Sequence, residues 1–231
     1  MIINFYKWGI VYIVITGTSR GIGFELTQLA LQEGHQVLAV ARNPTESPLS
    51  GLQSQYPELQ ILSLDITDKN AHQSLEKALS GWPQVDLLIN NAGVFLEDKK
   101  VEDFERSFLV NSISPFFLTR SLIPWLKKSS RPMSVQLSSM MGSIGDNSSG
   151  GSYSYRASKT ALNMLFKSLA VDEKWLICLQ LHPGWVQTKM GGQHAPTTVK
   201  ESAKGLWRVM QTADQSLSGS FMTYQGQTLP W

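Results

Sequence analysis

Tyr155 and Lys159 stand four residues apart at the head of an amphipathic run, in SSGGSYSYRASKTALNML, Ser148 to Leu165. On a helix, positions i and i+4 share a face, so Tyr155 and Lys159 project together, whereas Tyr153 and Lys159 do not. A free tyrosine titrates near ~10 and exchanges protons poorly at neutral pH. An ammonium at ~5 Å, in an effective dielectric of ~20, favours the tyrosinate by ~3.3 kcal/mol, or ~2.4 pK units. This pairing predicts a Tyr155 hydroxyl that titrates near neutrality and can hand a proton to a carbonyl oxygen as hydride arrives at the carbon. A further hydroxyl has to hold that oxygen. The apolar run MSVQLS leads into two serines; Ser139 is the natural donor, because Ser138 faces the opposite way if the strand continues. Asn111, in FLVNSIS, is a polar residue in an otherwise apolar helical stretch. Either it anchors a water that passes protons to Lys159, or it is a satisfied buried amide.

Hydride chemistry needs a carrier, and the first third of the chain offers a place for one. An apolar run, Ile10 to Thr16, enters TGTSRGIG, which opens a helical pattern. Gly17, Gly21 and Gly23 let a backbone approach a pyrophosphate, and the helix N-terminus supplies unpaired N–H groups and positive potential. The second apolar run ends in Arg42, where an acid would accept the ribose hydroxyls of NAD; Arg20 lies in the glycine loop. Two guanidiniums suit a 2′-phosphate, so NADP(H) is expected over NAD(H), unless both arginines simply face solvent. Asp65 either accepts from an adenine amino group or is a turn residue before a helix. In INNAG, asparagine side chains can tie neighbouring loops together while Ala92 and Gly93 leave room for a cofactor. HPGWVQT turns at Pro183-Gly184, and Thr188 can bond a nicotinamide carboxamide; His182 is expected to be structural.

These residues must be positioned by alternating strands and helices. Strand-like runs are 10–16, 36–41, 60–64, 85–90, 133–138, 176–182 and a short 221–224. Most are nearly continuously apolar, as strands covered on both faces are. Helical periodicity lies between them, in GIGFELTQLALQEG and KNAHQSLEKALSG; 101–128 is long enough for two helices, or one broken near Pro115. The alternation predicts an α/β fold, a doubly wound parallel sheet in one domain, with 1–9 as a lead-in. The loop at 138–152 is long for such a connection, and long loops are often functional.

Composition narrows the partners. The chain of 231 residues is 42% hydrophobic and carries a net charge of +2, which gives no electrostatic case for nucleic acid or an anionic membrane. The single cysteine, Cys178, lies in an apolar run, so neither an intrachain disulfide nor a cysteine-based zinc site is expected and no metal site is read. A buried thiol in a reducing, cytoplasmic compartment is the expectation.

Taken in order, TGTSRGIG, NNAG, a helical Asn111, a strand-end serine, YRASK and PG followed by Thr188 resemble the short-chain dehydrogenase/reductase family over nearly the whole chain from Ile10. Within the family, GSIGDNSSGGSYSYRASKTALNM and the ending TYQGQTLPW are similar to the C-factor branch and related carbonyl reductases. The resemblance implies a seven-stranded Rossmann fold and Asn111, Ser139, Tyr155 and Lys159 as a catalytic tetrad. It implies cofactor contacts at Gly17, Ser19, Arg20, Gly21, Ile22, Gly23, Arg42, Asp65, Ile66, Asn91, Ala92, Gly93, Tyr155, Lys159, Pro183, Gly184, Val186 and Thr188. It also implies a homodimer or homotetramer acting on a small carbonyl or alcohol. Two features depart from the family pattern: sixteen positions separate Ser139 from Tyr155, and the segment after Thr188 is short, which leaves an open site. Phe95, Met140, Met141, Ile144 and Trp185 are candidates to line it and favour a hydrophobic ketone or aldehyde. The alternative is a C-factor-like nucleotide-binding signalling or redox-sensing protein whose turnover is incidental.

Overall fold

The computed structural model describes residues 9–231; the expected lead-in at 1–9 lies outside them, Gly9 excepted. In chain order the elements are β1 (Tyr12–Thr16), α1 (Gly21–Gln32), β2 (Gln36–Ala41), α2 (Leu49–Gln53), β3 (Leu59–Ser63), α3 (Ala71–Ala78), β4 (Leu87–Asn90), α4 (Val101–Phe108), α5 (Ser114–Ser121), α6 (Ile123–Leu126), β5 (Met133–Leu137), α7 (Tyr153–Asp172), β6 (Ile177–His182), α8 (Val199–Thr212) and β7 (Ser220–Thr223). All seven strands are parallel, in the order β3-β2-β1-β4-β5-β6-β7. The expected doubly wound sheet is therefore present. Strand starts differ by a residue or two: β1 begins at Tyr12 rather than Ile10, which is exposed beyond the sheet.

The apolar runs are continuous because helices cover both faces. One core holds Ile13, Ile15, Leu26, Leu206 and Met210 beneath α1 and α8. The other holds Val14, Leu88, Leu162, Phe166 and Cys178 beneath α3, α5 and α7. Phe166 and Phe221 are among the largest fully buried side chains, and burying each contributes about 2–3 kcal/mol. Burial first, and Glu173 second, push the Cys178 thiol up to about 12, so it stays protonated and packs as a small hydrophobe.

The order of strands reverses between β1 and β4, and ligands of such sheets bind beyond the carboxyl ends at that crevice. One row of polar residues crosses the interior: Asn90 on β4 pairs with Gln136 on β5, and Gln136 with Gln180 on β6. Asn90 donates to Gln136 at 2.7 Å and to Thr119 of α5 at 3.0 Å, which locks the register where the site is built.

The segment 101–128 breaks earlier than Pro115. Leu109–Ile113 forms a single π-turn between α4 and α5, and Pro115 sits in the first turn of α5, where its missing N–H is tolerated. π-turns of this kind concentrate at functional sites, and this one carries Asn111.

Candidate active site

Every site residue expected from the sequence lies at or just beyond the carboxyl ends of β1 to β6, or on the first turns of α1, on the π-turn, or on α7. The glycine loop is held from β4. Asn91 donates from Nδ2 to the Thr16 and Gly17 carbonyls at 2.8 and 2.9 Å, and Thr16 Oγ1 accepts from the Asn91 and Ala92 N–H groups. The expected tie between neighbouring loops is thus made by Asn91, whereas Asn90 turns into the sheet.

The glycines divide into two kinds. A Cβ on Gly23 would meet Asn91 Nδ2 at 2.4 Å and the Gly17 carbonyl at 2.5 Å, and one on Gly17 would meet Ala92 Cα at 2.8 Å. These two glycines close the loop against β4. Gly21, whose φ of +61° resembles the +72° of Gly17, meets only a Thr188 methyl at 3.5 Å, across the crevice. At the start of α1, Arg20 is the N-cap but makes no side-chain capping bond, and no acidic residue lies in the first turn, with Ser19 and Ile22 half-buried beside it. Unpaired N–H groups, an absence of negative charge in that turn and a glycine with no steric clash fit a pyrophosphate.

Arg42 is exposed at the end of β2, with its guanidinium 4.0 Å from the Asp65 carboxylate. Asp65 serves a turn: Oδ1 accepts from the Thr67 N–H at 2.9 Å and the Thr67 hydroxyl at 2.7 Å. Arg106 of α4 reaches across to Asp65 at 3.3 Å and to the Thr67 hydroxyl at 2.9 Å. Burial raises the Asp65 pKa, but the Thr67 bonds and the Arg106 charge outweigh it and hold the carboxyl below its ordinary value. Arg106 is the partner that sequence reading missed; one basic residue on a polar helix face carries no signal by itself. Ile66 next to Asp65 is buried in the core beneath α3.

Beyond β6, Gly184 has a φ of +87°, Val186 is buried and bridges Thr197, and the Thr188 hydroxyl donates to the Val186 carbonyl and accepts from the Gly191 N–H. Pro183 presents its carbonyl to Ser202 of α8. Burial, opposed by Asp146, holds the His182 pKa down at about 4, so the imidazole is neutral at physiological pH.

At the centre, Tyr155 and Lys159 share a buried face of α7, 8% and 5% exposed, while Tyr153 is 67% exposed on the other side. Ser139 lies beside the Tyr155 hydroxyl and lowers its pKa, against the larger effect of burial. Ser139 Oγ also accepts from the Met141 N–H at 3.2 Å, which holds its rotamer. Ser138 points away and donates to Asn163 of α7 at 2.6 Å. The choice between the two serines follows from the strand's alternation.

One expectation needs correction. Lys159 does not bring Tyr155 toward neutrality. Burial drives the Tyr155 hydroxyl above its ordinary value, opposed by the neighbouring Ser139 side chain. The Lys159 ammonium donates to the Leu137 carbonyl at 2.7 Å, and burial lowers its own pKa to about 8. Of the two readings of Asn111, the side chain shows the bonded buried amide: Oδ1 accepts from the Val94 N–H at 2.8 Å, and Nδ2 donates to the Val94 carbonyl at 3.0 Å and to Ser158 at 3.0 Å. The amide clips residue 94 in place.

Residue 94 leads to Phe95, whose ring packs 4.9 Å from that of Tyr155. Met140 and Met141 lie in the turn after Ser139, and Trp185 is largely exposed with its indole N–H on the Gly191 carbonyl. Ile144 instead borders an open groove of about 610 Å³ on the outer face of α7, with Tyr153, Arg156 and Met164, away from the Tyr155 face. Among the described residues, no cluster of His, Cys, Asp and Glu has a metal-holding arrangement, and no helix is long and apolar enough to cross a membrane.

Known proteins share this architecture. A family model described as short chain dehydrogenase matches residues 11–198. The C-signal protein of Myxococcus xanthus is 40% identical over 154 residues, 64% of this chain and 93% of that protein. The carbonyl reductase Sniffer of D. melanogaster superposes with a TM-score of 0.93 at 31% identity, covering 96% of this chain and all of that one. An NADPH-bound carbonyl reductase from chicken fatty liver gives 0.88 at 32% identity, covering 97% of this chain and all of that one. A carbonyl reductase from Pseudomonas aeruginosa in complex with NADP gives 0.82 at 34% identity, covering 96% of this chain and all of that one. With its parallel sheet, its glycine loop at the strand-order reversal and its buried Ser139–Tyr155–Lys159 cluster, the chain belongs to the short-chain dehydrogenase family of oxidoreductases.

Proposed function

We propose that the protein is an NADPH-dependent carbonyl reductase acting on hydrophobic ketones or aldehydes. The observation that carries this reading is the buried pair of hydroxyls, Ser139 and Tyr155, backed by Lys159 and walled by Phe95. The cofactor, when bound, supplies the hydride. Ser139 and Tyr155 hold the carbonyl oxygen, and Tyr155 donates the proton to it. A Tyr155 pKa raised by burial keeps the hydroxyl protonated at neutral pH, which is the state a donor needs. Lys159 is the nearby proton reservoir. Arg42 and Arg20 recognise the 2′-phosphate.

The pH dependence follows from Lys159. Its ammonium is populated below about 8 and lost above it. The rate of carbonyl reduction is expected to be flat to about pH 7.5 and to fall by about tenfold per unit well above 8. A steady-state profile that stays flat to pH 10 contradicts the role given to Lys159.

A screen of hydrophobic ketones, quinones and aldehydes with NADPH and with NADH tests the whole reading. In it, Arg42→Asp is expected to shift the NADPH/NADH preference by about tenfold to a hundredfold toward NADH, the size of one charge-assisted phosphate contact exchanged for a repulsion. An unaltered preference removes Arg42 from cofactor recognition. The similarity to C-signal favours a second reading, a nucleotide-binding signalling or redox-sensing protein with incidental turnover. Tight NADPH binding with no turnover across the panel would establish that alternative. The enclosed Tyr155–Lys159 pair weighs against it, since a pure binder has no use for a desolvated lysine.

A further inference from the structure

The loop from Ser138 to Ser152 has the oxygen-holding serine at one end and Tyr155 just past the other. Its first part is fixed on α7: the Gly142 carbonyl accepts from the Thr160 hydroxyl at 3.1 Å and from Asn163 Nδ2 at 3.2 Å. Its middle is fixed by a different element. After β7 the chain reverses at Gly226, which has a φ of +87°. The Thr223 N–H donates to the Gln227 carbonyl at 2.8 Å, Met222 bridges Thr228 antiparallel, and the Leu229 N–H donates to the Phe221 carbonyl at 2.8 Å. The segment then delivers Trp231 to the loop. The Trp231 carbonyl accepts from the Gly145 N–H at 2.7 Å and from the Ser143 hydroxyl at 3.0 Å. Gly145 is so close that a Cβ there would lie 3.3 Å from that carbonyl oxygen. The Trp231 ring stacks on Phe221 at 5.6 Å and 25°, and the Lys167 ammonium lies 6.0 Å from its centroid.

We propose that residues 227–231 act as a strap that positions the substrate loop, with Trp231 the positioning residue. The physical argument is the division of the loop. Residues 140–143 and 145 have partners outside the loop or in its own tight turn, whereas 147–151 are exposed and bond mostly among themselves and with Arg156. Without the strap, the free span would lengthen toward Gly142, three residues from Ser139, and the loop would open at little cost. The ring stack and the cation above it hold the strap end, so the two hydrogen bonds at its carbonyl are made by a preordered acceptor. The proposal's kinetic arm rests on the carbonyl-reductase reading; its structural arm does not.

The test compares Trp231→Ala, Trp231→Phe and Ser143→Ala with the unchanged chain. Amide hydrogen exchange is read over 143–151, and KM and kcat are read with NADPH and one hydrophobic ketone that the chain reduces. Trp231→Ala is expected to speed exchange in the loop by about tenfold and to raise the ketone KM by about fivefold, the scale of a lost hydrogen bond or two. The Kd for NADPH, read by fluorescence, is expected to stay within about twofold, because the strap touches none of the glycine-loop residues. Ser143→Ala removes the bond to Trp231 and the bond that Ser143 Oγ accepts from the Asp146 N–H inside the loop, so it is expected to change loop exchange in the same direction; Trp231→Phe is expected to restore both readouts. Unchanged loop exchange in Trp231→Ala overturns the strap. Faster exchange with KM and kcat as in the parent overturns its role in positioning. If the parent reduces no carbonyl, the reductase reading fails by itself, and the strap is judged on the exchange result alone.

Discussion

Replacing Tyr155 by Phe is expected to lower kcat/KM for carbonyl reduction by about a thousandfold or more, within the range that general acid catalysis supplies. The change removes one oxygen atom. It leaves the ring in place against Phe95, 4.9 Å away, and leaves Lys159 on the Leu137 carbonyl. NADPH affinity, read by fluorescence titration, is expected to stay within about twofold, since the lost group acts on the transferred proton and the glycine loop is untouched. Tyr153→Phe serves as the comparison: its side chain is exposed on the opposite face of α7, and no loss is expected. Retention of the parental rate by Tyr155→Phe would end the proton-donor assignment. The burial of Tyr155 makes this a clean experiment, because a hydroxyl whose pKa is raised offers no tyrosinate at neutral pH to complicate the comparison.

Gly23→Ala is expected to abolish tight cofactor binding, with a loss of affinity of at least about a hundredfold, and to destabilise the fold. The added carbon would lie 2.4 Å from Asn91 Nδ2 and 2.5 Å from the Gly17 carbonyl, both of them groups that tie the glycine loop to β4. Neither can withdraw without breaking that tie. Overpacking of this kind costs about 1–3 kcal/mol, or about 5 °C in Tm for a chain of this size. The control is Gly51→Ala in α2, where a Cβ meets nothing within 4 Å and helix propensity favours alanine. Calorimetry and NADPH titration of the two variants side by side separate a steric effect at the loop from a general intolerance of the chain. Normal cofactor affinity in Gly23→Ala would show that the loop geometry is not what binds the pyrophosphate.

How far the sequence reaches depends on whether the interaction is local. The alternation of continuous apolar runs with 3.6-residue periodicity forces the sheet and its covering helices, and all seven strands occur where the runs predict, give or take their ends. The Tyr155–Lys159 register is local too, since i and i+4 share a helix face in any context. The choice of Ser139 over Ser138 needs only the two-residue period of a strand. The glycine motif predicts a tight turn into a helix, but the structure is needed to separate the glycines that close the loop, Gly17 and Gly23, from Gly21, where a Cβ would meet only a Thr188 methyl at 3.5 Å.

Other features depend on residues far apart in the chain. Arg106 meets Asp65 across forty-one positions, and Trp231 meets Ser143 across eighty-eight. No spacing rule announces either, because each depends on which helix or segment the sheet order places alongside. The direction of the Tyr155 shift has the same origin. Sequence alone brings the ammonium near the hydroxyl and so suggests a depressed pKa; the folded chain buries both groups and turns the ammonium to the Leu137 carbonyl, and desolvation prevails. Periodicity along the chain thus specifies which side chains share a face, since it depends only on backbone geometry. The protonation state, the partner and the freedom of each side chain depend on local dielectric and on long-range packing, which exist only once the chain has folded.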